Sequence, residues 1–267
     1  MTSKNHFINQ FSCPMAIEPD YFASFMAGLS GIQFDIQQPE PAARELNVID
    51  GTAVIQVHGV LMRDAPDWAE AFGVKSMESL ASELRMATAQ SGVEEILLAI
   101  DSPGGSVNGT EELAAEVLRA ANKMPVRAFS AGLMASAAYW VGSMADELLV
   151  TPSSMIGSIG VIGSHIDASA QHEAEGLKVH IFASGEQKAP GAMNTALSPA
   201  QIAAKQSTVR EMAMKFYDAV LTARGDLDAS IFDGGIYQGS RAVEMNLADG
   251  LVMNFAEALD RNKIVDA

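Results

Sequence analysis

From Thr52 to Val150 short apolar runs alternate with stretches whose apolar residues recur every three to four positions, and this alternation constrains the fold more than any other feature. The pattern predicts strands over Ala53–Leu61, Glu95–Ile100, Val126–Ala131 and Glu147–Val150. It predicts helices over Ser76–Gln90, after Gly105 with Leu113, Val117, Leu118 and Ala121 on one face, and over Met134–Ala145. Strands alternating with helices imply an α/β fold, a mostly parallel sheet with crossover helices. Beyond Pro152 the pattern continues with a helix Ala168–Glu175, a strand Lys178–Ala183 and a loop Ser184–Leu197. A long helix then runs from Pro199 to about Arg224, N-capped by Ser198, and a last helix covers Ser240–Leu247 before Asp249-Gly250.

Residues 1–48 read as an N-terminal arm. Tyr21–Ala27 ahead of Gly28 predicts a short amphipathic helix able to dock on the body or on a neighbour, and Pro39-Glu40-Pro41 marks a break before a body spanning 49–267. With 267 residues, 48% of them apolar, the chain can bury a substantial core. Cys13 is the single cysteine, so no intrachain disulfide forms and a reducing compartment is the simplest expectation. A formal charge of −16 argues against nucleic acid as a partner. The first twenty residues never build a continuous apolar stretch, and runs such as Ile96–Ile100 are too short to span a bilayer. No membrane anchor and a cytoplasmic location are therefore expected.

Two short stretches carry the raw parts of acyl-transfer chemistry. Asp101-Ser102-Pro103-Gly104-Gly105 closes one predicted strand, and Ser136 in Met134-Ala135-Ser136-Ala137-Ala138-Tyr139-Trp140 follows another. The C-terminal ends of parallel strands meet at one edge of an open sheet, where sites tend to form. A serine hydroxyl beside flexible backbone amides there supplies a nucleophile and an oxyanion hole, the amides being expected at a helix N-terminus. Taken singly, each stretch also reads as plain structure: a glycine turn, and a small residue packed in an Ala-rich helix. The base is open on local pattern. His6 lies in the arm, His58 and His180 fall in predicted strands, His165 and His172 could complete a triad, and Lys188 sits in a polar loop. The run Ser153–Gly163 is rich in small residues, as at a close packing contact or a site.

Taken in order and spacing, Ser102-Pro103-Gly104-Gly105, Met134-Ala135-Ser136 with Tyr139-Trp140, Ile156-Gly157-Ser158-Ile159-Gly160-Val161 and Ser184-Gly185 followed by Lys188 resemble the signal peptide peptidase A family, within the Clp protease/crotonase-like superfamily. The likeness runs roughly from Val54 to Val252. It implies a Clp protease/crotonase-like fold and a Ser-Lys dyad with Ser136 as nucleophile, Lys188 as general base and Ser158 orienting the lysine amine. The amide of Gly104 or Gly105, with that of Ala137, would hold the oxyanion. No metal and no other cofactor is implied. The Clp proteases would place a histidine where this chain reads Met155-Ile156-Gly157-Ser158, which favours the dyad over a triad. Family members commonly carry Ser-Gly-Gly; here Ser136-Ala137-Ala138 sets two methyl groups beside the nucleophile and predicts a pocket for small side chains.

A lysine that serves as base must be neutral, and near pH 7 that requires burial of its amine. Lys188 is therefore expected to be covered, either by its own sheet edge or by a neighbouring subunit in a homo-oligomeric ring, as half-size members of the family form. Substrate is expected to be a polypeptide bound extended along Gly104–Val107, with Ser106 and Val107 in contact. The acidic-aromatic leader Ile17–Gly28 and a single half-length catalytic domain resemble the phage prohead proteases of this family, which remove scaffold from an assembling capsid; in some of them scaffold sequence follows in frame, at the point where this chain stops. The alternatives are a cellular oligopeptide-degrading peptidase of the same family, a crotonase-like acyl-CoA enzyme, and an inactive scaffold.

Overall fold

The computed structural model describes residues 14–19, 21, 45–225 and 227–260. It opens with β1 (Met15–Ile17), β2 (Asn47–Ile49), β3 (Thr52–His58), β4 (Val60–Met62) and β5 (Val74–Ser76). The units α1 (Met77–Ala87), β6 (Glu95–Asp101), β7 (Gly104–Ser106), α2 (Thr110–Ala121) and β8 (Val126–Ser130) follow. Next come β9 (Leu133–Ala135), α3 (Ala137–Gly142), β10 (Glu147–Val150), β11 (Met155–Gly157) and α4 (Ser169–Ala174). The chain continues through α5 (Pro199–Arg224), β12 (Ile236–Gln238), α6 (Gly239–Glu244), β13 (Gly250–Leu251) and α7 (Phe255–Leu259).

The main sheet has the order β13-β10-β8-β6-β3-β2 and is parallel except for the β2–β3 pair. Helices α1 and α2 cover one face of its centre and α7 packs on the other, so β6 reads as an apolar run, Ile96–Ile100, and β8 is buried throughout, its Arg127 paired with Glu95. Ile55, Val57, Ile96, Leu98 and Ile100 pack with Leu80 and Leu84 of α1 and with Leu113 and Val117 of α2. Two smaller sheets lie beyond the strand ends, β1-β7-β4-β5 and β12-β11-β9. They carry the motif residues. The α/β class with mostly parallel pairing is thus as the sequence predicts.

Several expectations are corrected. The predicted strand Ala53–Leu61 divides at Gly59, whose φ of 75° turns the chain into a second sheet and whose missing side chain leaves room for the Gly73 carbonyl, 2.2 Å from where a Cβ would sit. Gly104-Gly105 does not open a helix; it forms β7, and α2 starts only at Thr110. Met134 and Ala135 belong to a strand, and the helix begins after Ser136. Residues 178–183 form no strand and are largely solvent-exposed, Phe182 at 95%. Leu118 points away from the core, because the buried stripe of α2 runs through Leu113, Ala114, Val117 and Ala120. The predicted helix Tyr21–Ala27 lies outside the described residues apart from Tyr21, as does His6.

Helix α5 has the predicted start. Ser198 Oγ accepts from the Gln201 amide at 3.2 Å while Gln201 Oε1 accepts from the Ser198 amide at 3.0 Å, a reciprocal cap with Pro199 in the first turn. Of its 26 residues only Ala213, Phe216 and Val220 are buried. Phe216 stacks on Trp140 of α3, centroids 4.7 Å apart and planes 8° from parallel, so this pair ties the long helix to the helix behind Ser136. Removing the ring should cost what a buried aromatic truncation usually costs. Phe216→Ala is expected to lower unfolding free energy by about 3–5 kcal/mol, read from denaturant midpoints.

Candidate active site

The β9–α3 junction sets Ser136 in an unusual backbone state. Its φ and ψ are 53° and −121°, a region that a residue with a side chain occupies at a cost of roughly 1–3 kcal/mol. Neighbouring elements hold it there. The Ser136 amide donates to Gly157 O at 2.8 Å and Trp140 N returns to Ser136 O at 2.9 Å, while the Ser102 and Ala135 amides tie β9 to the end of β6 through Leu133 O and Ser102 O. Behind the turn, Tyr139 and Trp140 are buried. Tyr139 Oη donates to Leu247 O at 3.0 Å, and burial pushes that hydroxyl's pKa up, so it stays a neutral donor.

Parallel pairing of β9 with β11 puts Ala135 opposite Gly157, so Ser136 and Ser158 leave the sheet side by side. Both have left-handed φ, 53° and 51°. The Ser158 amide donates to Gly235 O at 2.7 Å. Ser158 Oγ makes no hydrogen bond among the described residues. Ser136 Oγ donates to Gly160 O at 3.4 Å and is almost completely covered.

On the other side stands the glycine pair. Gly104 has φ 96°, and a Cβ on it would lie 2.8 Å from Ala137 N and 2.9 Å from Ala135 O, which measures how closely β7 approaches the serine turn. A Cβ on Gly105 would lie 1.8 Å from Leu61 O. Neither position admits a side chain. The Gly104 amide is engaged by Ser102 Oγ at 3.2 Å, and Ser102 Oγ in turn donates to Gly59 O at 2.7 Å. The Gly105 amide faces β1, where Gly105 is the ladder partner of Ala16, and Ala137 N lies against Gly104 at the serine turn. Ser106 and Val107 continue the same edge; Ser106 is buried and the Val107 amide donates to Pro14 O at 3.2 Å.

Ser136, Ser158, Gly104, Gly105 and Ala137 therefore converge, and Lys188 stands apart from them. It lies in an exposed turn, its amide bonded to Gly185 O, and among the described residues its ammonium has no hydrogen-bond or ion-pair partner. Of the two covers expected for Lys188, its own sheet edge is not present. Among the described residues no histidine is bonded to Ser136. His165 Nε2 bonds Thr195 O at 2.8 Å, His172 Nδ1 is buried with no partner among the described residues, His58 sits 3.8 Å from Asp101, and His180 is exposed outside any strand. Among the described residues there is no cluster of three or more His, Cys, Asp or Glu able to hold a metal, and no helix long and apolar enough to cross a membrane.

Sequence reasoning missed one component. β1 lies antiparallel on β7, in the edge position expected for substrate, with Met15 opposite Ser106, Ala16 opposite Gly105 and Ile17 opposite Gly104. Three apolar residues in a row gave too short a signal to mark a strand.

A peptidase family S49 model matches residues 119–264, more than half of the chain, including Ser136, Ser158 and Lys188. The chain is similar to the head-tail preconnector protein GP5 of Enterobacteria phage P21, 28% identical over 93% of this chain and 55% of that protein. It is similar also to the capsid assembly protease C of Escherichia phage lambda, 29% identical over 83% of this chain and 52% of that protein. With protease 4 of Salmonella typhi it shares 32% identity over 74% of this chain and 32% of that protein. The chain thus spans about half the length of the two phage relatives. From these matches and the mixed α/β architecture, the chain belongs to peptidase family S49 and has its Clp protease/crotonase-like fold.

Proposed function

We infer that this protein is a serine endopeptidase of phage head maturation, with Ser136 as nucleophile, Lys188 as general base and a scaffold or capsid polypeptide as substrate. The observation that carries the chemistry is the positive φ of Ser136 at a strand–helix junction, with Ala137 N and the glycine pair of β7 packed against that turn. Such a turn presents one hydroxyl to an edge where two backbone donors converge, which is the requirement of acyl transfer. Ser136 Oγ attacks the scissile carbonyl, its proton passes to Lys188 and then to the leaving amine, and the two amides hold the oxyanion. Water hydrolyses the resulting ester. Ser158, leaving the sheet beside Ser136, orients the lysine amine. No step needs a cofactor. The head-maturation assignment is supported by the names of the phage P21 and lambda relatives. The similarity to protease 4 supports the alternative, a cellular oligopeptide-degrading enzyme of the same family. Family membership weighs against an acyl-CoA enzyme.

Lys188 is exposed and apart from Ser136 in the single chain, so the reading requires a neighbouring subunit to bring a lysine to the serine and to bury it. A homo-oligomeric ring with the dyad completed between subunits meets that requirement. It works in the host cytoplasm or the prohead interior, on substrate laid along Gly104–Val107. The division between an arm to residue 48 and a catalytic body from 49 is part of this reading, the arm carrying β1, which pairs with β7.

Three measurements check the reading. Casein hydrolysis between pH 6 and 10 should vanish in Ser136→Ala and in Lys188→Ala; activity surviving the second would move the base elsewhere. Mixing the two inactive variants under exchange conditions should restore part of the activity if each site draws on two subunits, whereas a dyad within one chain gives none. Gly104→Ala places a methyl 2.8 Å from Ala137 N and 2.3 Å from the backbone oxygen of the strand paired with β7, and is expected to lower hydrolysis at least ~100-fold.

A further inference from the structure

We propose that the bond between Ala16 and Ile17 is a self-processing site, held in the groove of Ser136 as a substrate would be. The proposal rests on the peptidase reading of Ser136 and adds a substrate to it. Residues 14–18 are clamped as an extended strand on both edges. On one side Val107 N donates to Pro14 O at 3.2 Å and Glu18 N to Pro103 O at 2.8 Å. On the other, Met15 and Ile162 exchange two backbone hydrogen bonds, each 2.9 Å. Met15, Ala16 and Ile17 are 3%, 0% and 2% exposed.

The register selects the bond. In an antiparallel ladder hydrogen-bonded pairs alternate with open ones, and the two bonds to β7 just given make Ala16 and Gly105 face each other through their polar groups. The Gly105 amide is thereby aimed at the Ala16 carbonyl. That oxygen lies 2.3 Å from the position of a Cβ on Gly104, and Ala137 N lies 2.8 Å from the same point, so the carbonyl faces the serine turn as well as Gly105. The residue before the bond is alanine, a small side chain of the kind the sequence leads one to expect there. Beyond Pro14 the groove continues into clefts of about 400 Å³ lined by Val107, Lys215, His165 and Val209, wide enough for residues upstream. In the reaction Ser136 Oγ bonds to the Ala16 carbonyl carbon and the C–N bond to Ile17 breaks. The departing Ile17 amine takes the serine's proton by way of the base, and water then releases residues 1–16 from the ester. The products are two chains, the larger with a new amino terminus at Ile17.

The test is intact-mass spectrometry and N-terminal sequencing of the purified full chain over time, with casein hydrolysis assayed on the same sample. Loss of residues 1–16 in the wild type, an intact chain in Ser136→Ala, and cleavage at this bond slowed at least ~10-fold in Ala16→Asp are expected. A wild type that degrades casein while keeping the Ala16–Ile17 bond overturns the self-processing site and leaves the peptidase reading standing. Cleavage at this bond in Ser136→Ala assigns it to another protease and also overturns the proposal. A wild type that cuts neither casein nor itself overturns both.

Discussion

The backbone of Ser136 cannot relax into an ordinary strand or helix without dismantling the site, and most of the surrounding architecture holds it where it is. A non-glycine residue at φ 53° and ψ −121° persists only when its neighbours over-determine it. Here β9 is fixed by β11 on one side and by Ser102 on the other, and the Ser136 amide is spent on Gly157 O. On the helical side, Tyr139 and Trp140 anchor α3 in the core, the first through Leu247 O and the second through the ring of Phe216. The long helix α5, of which only Ala213, Phe216 and Val220 are buried, is tied to the same point by that stack.

Close approach of backbones does the rest. The two glycines of β7 let one strand pass within contact distance of the serine turn on one side and of Leu61 on the other. Because Gly104 N is bound by Ser102 Oγ, whose own proton goes to Gly59 O, the loop before β7 is stiffened by a short relay of hydrogen bonds. A rigid loop keeps the Gly105 amide pointing outward along the ladder edge, where an extended chain can use it. The strand found there is the protein's own. Groove and occupant thus use the same backbone pairing rules.

Much of this was legible in the residues. The strand–helix alternation gave the parallel sheet, Ser198-Pro199 gave the start of α5, and the spacing of the Ser-Pro-Gly-Gly, Met-Ala-Ser and Gly-Ser motifs placed one edge of the site. What misled was local periodicity at points where two sheets meet. Ala53–Leu61 looks like one strand because both halves are apolar, yet Gly59 turns it into two. Met134 and Ala135 look helical beside an alanine-rich run, yet parallel pairing with Met155–Gly157 draws them into a sheet. Residues 178–183 have strand-like composition but find no partner strand, and composition alone supplies no hydrogen bonds.

The sequence by itself determined the chemistry on offer: a serine between a strand and a helix, glycines where no side chain could fit, a second serine one sheet register away, and small residues around them. These are local matters, set by steric limits on φ and by pairing within short spans. Tertiary structure alone decided which Gly amide faces the groove, because Ser102 Oγ, which takes the Gly104 amide, is fixed by a long-range bond to Gly59. It alone laid Met15–Ile17 into the groove, a pairing across some ninety residues that three apolar side chains cannot announce. It also left Lys188 in solvent, since an amine is covered only by whatever else folds or assembles around it.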